Sequence, residues 1–453
     1  ITCILVWAAY WANLDIPMNS TATQRRTDAW LDPALIGRLS GALAAVFFTI
    51  LLVSFRPFNV GTSGAVGQPT GDIVNQLGYG GIGAVSLFAT LTLVNTRKLA
   101  ALISPWWLIL FALAFFSAAH ALDPSSSYRA LAFTLICILA MVSVLAMAPD
   151  GDAYQRAFLA AAIVVLALSY LGLAMLPELA KHTAYTNEPE HAGLWRGIYS
   201  HKNVAGPVMA GLSFIGIYAF RRGARLTGGL VAIAGLVFVA NTGSKTSAGL
   251  VPLVILLVMG PGLFGIRKFG AATVCTAIAG AMLGTVGTVL FSTIGEWNQT
   301  LAPGNTFTGR TDIWSFAVDH ITKKPWIGWG FDSFWYSPMV YFGEKDWEAA
   351  WDVRGVIHGH NGYIDIALTM GLPTFLFAVL SMLIVPMVDY AKCIRSRENV
   401  LLADLFMMIF AFSALNACLE SFFFRRSDPV WLLFVTATIG LRLTSRVTIP
   451  SKA

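Results

Sequence analysis

The sequence predicts an all-α polytopic membrane protein, and three observations carry that reading. Of the 453 residues, 56% are hydrophobic and only 12% charged, with a mean hydropathy of +0.68. A soluble domain carries about twice that charged fraction. Apolar runs repeatedly reach the roughly 20 residues a helix needs to cross a bilayer. Lysine and arginine are scattered among short loops instead of gathered in one block. The net charge of +6 therefore follows membrane topology and implies no nucleic-acid partner.

Apolar segments are expected to span at 1–13, 35–55, 73–94, 105–121, 128–148, 157–176, 204–220, 226–240, 247–264, 269–293, 362–388, 400–418 and 429–443. They predict about 12–13 transmembrane helices. Residue 1 is an isoleucine inside an apolar run, so the true start is expected to be missing and no leader can be judged. Placing the C-terminus in the cytoplasm puts Arg97/Lys98, Arg221/Arg222/Arg225, Arg267/Lys268 and Lys392/Arg395/Arg397 on the inner side. The short outer loops then hold only Arg56, Arg129, Lys245 and Arg425/Arg426. Two outer loops are long, 177–203 and 294–361, and the chain divides accordingly. Residues 1–293 form an N-terminal transmembrane bundle, 294–361 an extracytoplasmic loop, and 362–453 the C-terminal transmembrane helices. Within that loop Ile313, Trp314, Ala317, Val318 and Ile321 recur at helical spacing up to Pro325, which predicts an amphipathic helix. Trp314, Trp326, Trp329 and Trp335 suit a segment lying at the membrane interface.

Several chemistries lack their pattern. Cys3, Cys137, Cys275, Cys393 and Cys418 have no paired spacing, so neither a disulfide frame nor a zinc site is implied. Gly78-Tyr-Gly80-Gly-Ile-Gly83 spells a dinucleotide fingerprint, but it lies inside an expected span with no strand before it. Small residues there suit close helix packing. No spacing suggests a metal site and no cofactor is expected.

Function is sought instead in three polar islands at the edges of apolar runs, all on the expected outer side. They are Arg196-Gly-Ile-Tyr-Ser-His201-Lys202-Asn203, Thr308-Gly-Arg310-Thr-Asp312-Ile-Trp314 and His358-Gly-His360-Asn361-Gly-Tyr-Ile-Asp365. Arg196, Lys202, Lys245, Arg310 and Arg354 would suit a diphosphate at the membrane surface, since guanidinium groups stay charged and match phosphate geometry. Each arginine could equally snorkel to lipid headgroups. Asn361 is a good N-cap for the span that follows, and a helix start favours a neutral, proton-accepting imidazole at His360. His358 competes for that role. Asn241-Thr-Gly-Ser244-Lys245-Thr246 reads either as a phosphate-binding turn or as a plain hairpin. Asp365, about one turn into its span, could orient a cation or help a proton move.

Taken in order, these islands together with Pro325-Trp-Ile-Gly328-Trp-Gly330 resemble the O-antigen ligase and Wzy-type polysaccharide polymerase superfamily. Among its branches the wording is most similar to ExoQ-type exopolysaccharide polymerases. Ser244-Lys245-Thr246 stands where many relatives have Ser-Arg. The resemblance covers residues 194–372 in motifs and the whole chain in hydropathy. It implies a GT-C-like fold and a glycosyltransferase acting at the outer face of the bacterial cytoplasmic membrane. Its donor would be a polyprenyl-diphosphate-linked glycan and its acceptor a second glycan, with chain-length regulators or export proteins as further partners. By matching positions, Arg196 and Arg310 would bind the diphosphate, and His360 would activate the acceptor hydroxyl. Lys202, Asn203, Lys245, Arg354, His358 and Asn361 would be supporting contacts in a metal-independent, inverting transfer. A ligase with the same chemistry and a lipid-glycan flippase are the alternatives.

Overall fold

The computed structural model describes residues 32–59, 73–184, 189–264, 266–343 and 352–451; the expected span at 1–13 lies outside them. Asp-Pro pairs set several helix starts. Asp32, Asp123 and Asp428 each accept a first-turn amide hydrogen bond, and the following proline sits where its missing N–H costs nothing. Helices begun this way include α1 (Pro33–Val53), followed by α2 (Ile73–Leu93), α3 (Thr96–Leu102), α4 (Pro105–Ala119) and α5 (Pro124–Met147). The chain continues with α6 (Gly151–Met175), α7 (Lys202–Arg222), α8 (Arg225–Asn241), α9 (Lys245–Leu263) and α10 (Arg267–Gly284). Next come α11 (Ser292–Leu301) and α12 (Arg310–Lys323). The last three are α13 (Gly362–Ala391), α14 (Arg397–Asn416) and α15 (Pro429–Arg446). Among the described residues the only extended pairing is a bridge between Lys181 and Trp195. The protein is an all-α, multi-pass membrane protein.

Every expected span from 35–55 onward falls on a helix, but the helices are unequal. Among the described residues eight are long and apolar enough to cross a bilayer. A ninth results if α3 and α4, bent by 60°, act as one. Helix α8 and the apolar part of α10 are shorter. The segment expected at 269–293 breaks early: α10 stops at Gly284, where the Thr285 hydroxyl turns back onto the Ala281 carbonyl at 2.7 Å. A single turn, Gly287–Leu290, and the amphipathic α11 follow.

The two ends of the bundle are told apart by their contacts. At one end Lys98 Nζ donates to the Ala148 carbonyl at 2.6 Å, and Gly151 N to Pro450 O at 3.0 Å. There too, Arg222 pairs with Asp152 at 2.5 Å and with Glu398 at 2.7 Å, while Arg221 meets Asp404 at 2.8 Å. These are the basic loops assigned to the inner side. At the other end lie residues 189–201, α11, α12 and the starts of α7 and α13. Helices α14 and α15 are buried along nearly their whole lengths, and α7 along most of its own. The start of α7 and the residues just past the end of α14 meet at the end of the bundle opposite these basic loops, where Asn203 reaches Glu420.

One break in α13 fixes the outer loop. Gly371 has φ +80° and ψ 164°, a conformation open to glycine alone among ordinary residues, and Pro373 follows. The carbonyls of Leu368 and Thr369 accept from Trp329 N at 3.0 Å and Gly330 N at 2.8 Å, and Leu372 N donates to Pro325 O at 2.8 Å. The Pro325–Gly330 motif is thus stitched to the broken helix. A methyl group at Gly371 would lie 2.4 Å from the Trp326 carbonyl oxygen. We expect Gly371→Ala to cost at least about 1–3 kcal/mol, read as a clear fall in the melting temperature of the detergent-solubilised protein. Wild-type melting would show that the stitch is dispensable.

Candidate active site

The helix starts and the capped loop bring three islands to one carboxylate. Glu420 lies just past the end of α14, and its side chain is 13% exposed. Its Oε1 accepts from Arg310 at 2.7 Å and from the Asn203 amide at 3.0 Å, while Oε2 lies 3.2 Å from His360 Nδ1. Each partner arrives on a different element. Asn203 is in the first turn of α7, whose N-cap is His201. Arg310 opens α12 after Gly309, which takes a left-handed φ of +80° to swing the chain into the helix. His360 is held at φ +48°, strained for a histidine, directly before the N-cap of α13.

Burial pushes Glu420 upward, but the His360 hydrogen bond and the Arg310 guanidinium outweigh it, and the carboxyl sits below the ordinary 4.5. The depressed value has a definite sign. The stabilisation from this cluster is fully present above the ordinary value and lost only as pH falls through the lower folded value. A carboxylate is acceptor-only, so His360 donates through Nδ1 and carries its lone pair on Nε2. The His358 and His360 rings lie 4.1 Å apart between centroids, tilted by 58°, and His358 Nδ1 accepts from His360 N at 3.2 Å. Burial first, and then the neighbouring Arg425 and Arg310 guanidinium groups, hold His358 well below the usual imidazole range, so it stays neutral.

Asp365 sets the backbone of this loop. Its carboxylate accepts from Gly359 N at 3.0 Å and from the Trp335 indole at 2.8 Å. The Trp314 indole donates to the Gly359 carbonyl at 3.0 Å. Trp314 is fully buried and Trp335 is 6% exposed. These two tryptophans are therefore core residues of the outer cap and not membrane-interface anchors, because each N–H has a partner inside the protein. Trp326, 76% exposed, keeps an outward place. A cleft of about 70 Å³ opens beside His358, lined by Asp365, Trp335, Tyr336, Ser421 and Arg425.

The remaining expected residues stand at varying distance from this cluster. Arg196 is 3% exposed and donates to the carbonyls of Ser200 at 3.1 Å and Glu178 at 3.4 Å, not to Glu420. Burial lowers its pKa, and its Nε is buried without a hydrogen-bond partner among the described residues. Lys202 is half-buried at the first position of α7, and its backbone N–H donates to His182 Nε2 at 3.1 Å. Asn361 is committed to structure: Oδ1 caps α13 at Tyr363 N and Ile364 N, and Nδ2 donates to the Cys418 carbonyl at 2.7 Å. Lys245 is exposed at the start of α9, after the Ser244 cap. Arg354 is captured by Asp352 two residues earlier, at 2.6 Å. The structure thus gathers Arg310, His360, His358 and Asn203 around Glu420, while Arg196 is bonded to the Ser200 and Glu178 carbonyls and Arg354 to Asp352.

Sequence reasoning missed Glu420. It is one acid ending an apolar run, 60 residues from the nearest partner it binds, His360. The one signal available was an unpaired carboxylate at an outer span end, facing three basic islands.

Residues 228–379 match the family model Wzy_C, described as O-antigen ligase. The O-antigen ligase match spans about a third of the chain and includes Lys245, Arg310, Arg354, His358 and His360. Arg196, Asn203 and Glu420 lie outside it. No curated protein matches the chain.

Proposed function

We propose that this protein transfers a glycan from a polyprenyl diphosphate carrier to an acceptor hydroxyl at the outer face of the bacterial cytoplasmic membrane. The observation that carries this reading is the sharing of Glu420 between Arg310 and His360. One carboxylate there orients both the base and the cation that such a transfer needs. The chain's likeness to O-antigen ligases over residues 228–379 supports the same chemistry.

In the proposed step, His360 Nε2 removes the proton from the acceptor hydroxyl as its oxygen attacks the anomeric carbon. The bond from that carbon to the phosphate oxygen breaks, and the polyprenyl diphosphate leaves with the electron pair. Arg310, together with Arg196 and Lys202, meets the charge that develops on the diphosphate. The proton stays on His360 as an imidazolium held by Glu420, the role a carboxylate plays toward histidine in hydrolase triads. In-line attack inverts the anomeric configuration, and finding one anomer in both donor and product would refute it. Fixed cations take the place that a divalent ion occupies in many nucleotide-sugar enzymes. Elongation should accordingly run at the same rate with or without added Mg²⁺ or Mn²⁺, and a strict requirement for either would contradict this assignment.

The finer reading is a polymerase of exopolysaccharide synthesis, which joins lipid-linked repeat units. The described match to O-antigen ligase favours a second reading, in which the acceptor is a different envelope molecule. Gene deletion separates them: loss of a polymerase leaves single repeat units, and loss of a ligase leaves full-length glycan on its carrier. Incubating the purified protein with defined lipid-linked oligosaccharides tests the shared chemistry directly. Failure to lengthen or transfer any of them would remove the proposal.

A further inference from the structure

Three of the seven histidines meet outside the Glu420 cluster. His182, His191 and His201 each offer a ring nitrogen, and the three lie within 4.8 Å of one another. Ring centroids are 4.8 Å apart for His182 and His201, 5.6 Å for His182 and His191, and 5.7 Å for His191 and His201. The three come from separate elements. His182 is pinned by paired bonds, donating to Leu194 O at 2.9 Å and accepting from Gly193 N at 2.8 Å. His191 sits on a 3-10 turn, and His201 is the N-cap of α7. His182 is buried and the other two are half-buried, so the cluster is reachable from outside. Their spacing in sequence fits no common metal motif, and only the fold brings them together.

We propose that His182, His191 and His201 form a tris-imidazole site for a divalent transition metal such as Zn²⁺. Three imidazoles without a carboxylate suit Zn²⁺, Ni²⁺ or Cu²⁺ and not Mg²⁺ or Ca²⁺, which take oxygen ligands. Zinc–nitrogen bonds of about 2.0–2.1 Å place ligand nitrogens about 3.3 Å apart in a tetrahedron. The ring nitrogens therefore close by up to about 1.5 Å on loading, and water completes the fourth position.

Loading is coupled to the start of α7. His182 Nε2 accepts from Lys202 N at 3.1 Å, and His201 Nδ1 accepts from Asn203 N at 3.1 Å. The neutral rings hold their protons on the opposite nitrogens. A metal bound there moves each ring proton to the side facing the backbone amide and gives up that bond; a metal bound at the accepting nitrogens displaces the amides directly. Either way the first turn of α7 shifts, and that turn carries the Asn203 contact to Glu420. The site needs none of the transfer chemistry, so its test stands apart from the proposed activity.

The test is Zn²⁺ titration of tag-free protein in detergent, by competition with a chromophoric chelator, followed by Co²⁺ substitution to read ligand geometry. One ion per chain is expected, with the visible absorption of a tetrahedral nitrogen-rich site. His191→Ala, a change on an outer turn, should weaken Zn²⁺ by at least the roughly 10–100-fold that loss of an outer-shell partner alone costs. His182→Ala should do the same, and His120→Ala should change nothing. Acidification should weaken binding, as protons compete for the rings. Unchanged affinity in His191→Ala, or equal loss in His120→Ala, would show adventitious surface binding and overturn the site. An octahedral Co²⁺ spectrum would overturn the tris-imidazole geometry.

Discussion

Glu420→Gln is expected to lower glycan transfer by roughly 10²–10⁴-fold, the range that general-base catalysis and the orientation of its base contribute. The change keeps the size and removes the charge. A glutamine amide can donate to His360 Nδ1, which would stabilise the wrong tautomer and put the proton on Nε2, where the acceptor hydroxyl needs a lone pair. His360→Ala should abolish transfer to a similar depth, and Glu420→Gln/His360→Ala should be little worse than either alone, because two residues acting as a unit are non-additive. Rates from purified variants with a lipid-linked oligosaccharide check this. Multiplying losses in the double variant would mean that Glu420 acts on something other than His360. Normal melting behaviour in Glu420→Gln is part of the expectation, since Arg310 and Asn203 can still bond to the amide oxygen.

Arg310→Ala should reduce transfer by about 10²–10³-fold, the usual cost of removing one preorganised group from developing negative charge. Arg310→Lys should recover only part of that loss. A lysine keeps the charge but not the fork that reaches Glu420 Oε1 and a phosphate oxygen together. The alanine variant leaves Glu420 with His360 and Asn203, so the protein should still insert and fold. Full activity in Arg310→Ala would remove the diphosphate role. Full recovery by lysine would reduce Arg310 to a point charge.

Much of the architecture was legible in the chain because a bilayer imposes length and hydropathy on each span. Charge bias gave the end on which the islands lie, and the contacts of Lys98, Arg221 and Arg222 fall together at the opposite end. What escaped was local. Nothing in the letters around Gly284 and Thr285 distinguishes a helix that continues from one that stops. The tryptophans of the outer loop have the composition of interface anchors, yet Trp314 and Trp335 found carbonyl and carboxylate partners inside it. In the candidate site, Arg310 and His360 were readable because each sits in a compact polar motif. Glu420 was not, since its meaning depends on groups from α7, α12 and the loop before α13. Arg354 shows the converse: a conspicuous cation whose nearest acid, Asp352, was two letters away.

The paired charges at the inner end carry a consequence for how this protein can move. Glu398, 3% exposed on its side chain, and Arg222, 9% exposed, clamp α6, α7 and α14 to one another. Rocking those helices apart would break a buried ion pair and leave a carboxylate without its guanidinium, a cost of about 3–5 kcal/mol. A carrier that alternately uncovers its substrate to both compartments must open on each side in turn. The Arg222 clamp, if it holds throughout the working cycle, would keep this end of the bundle closed, and cross-linking α6 to α14 without loss of transfer would show that it never has to open.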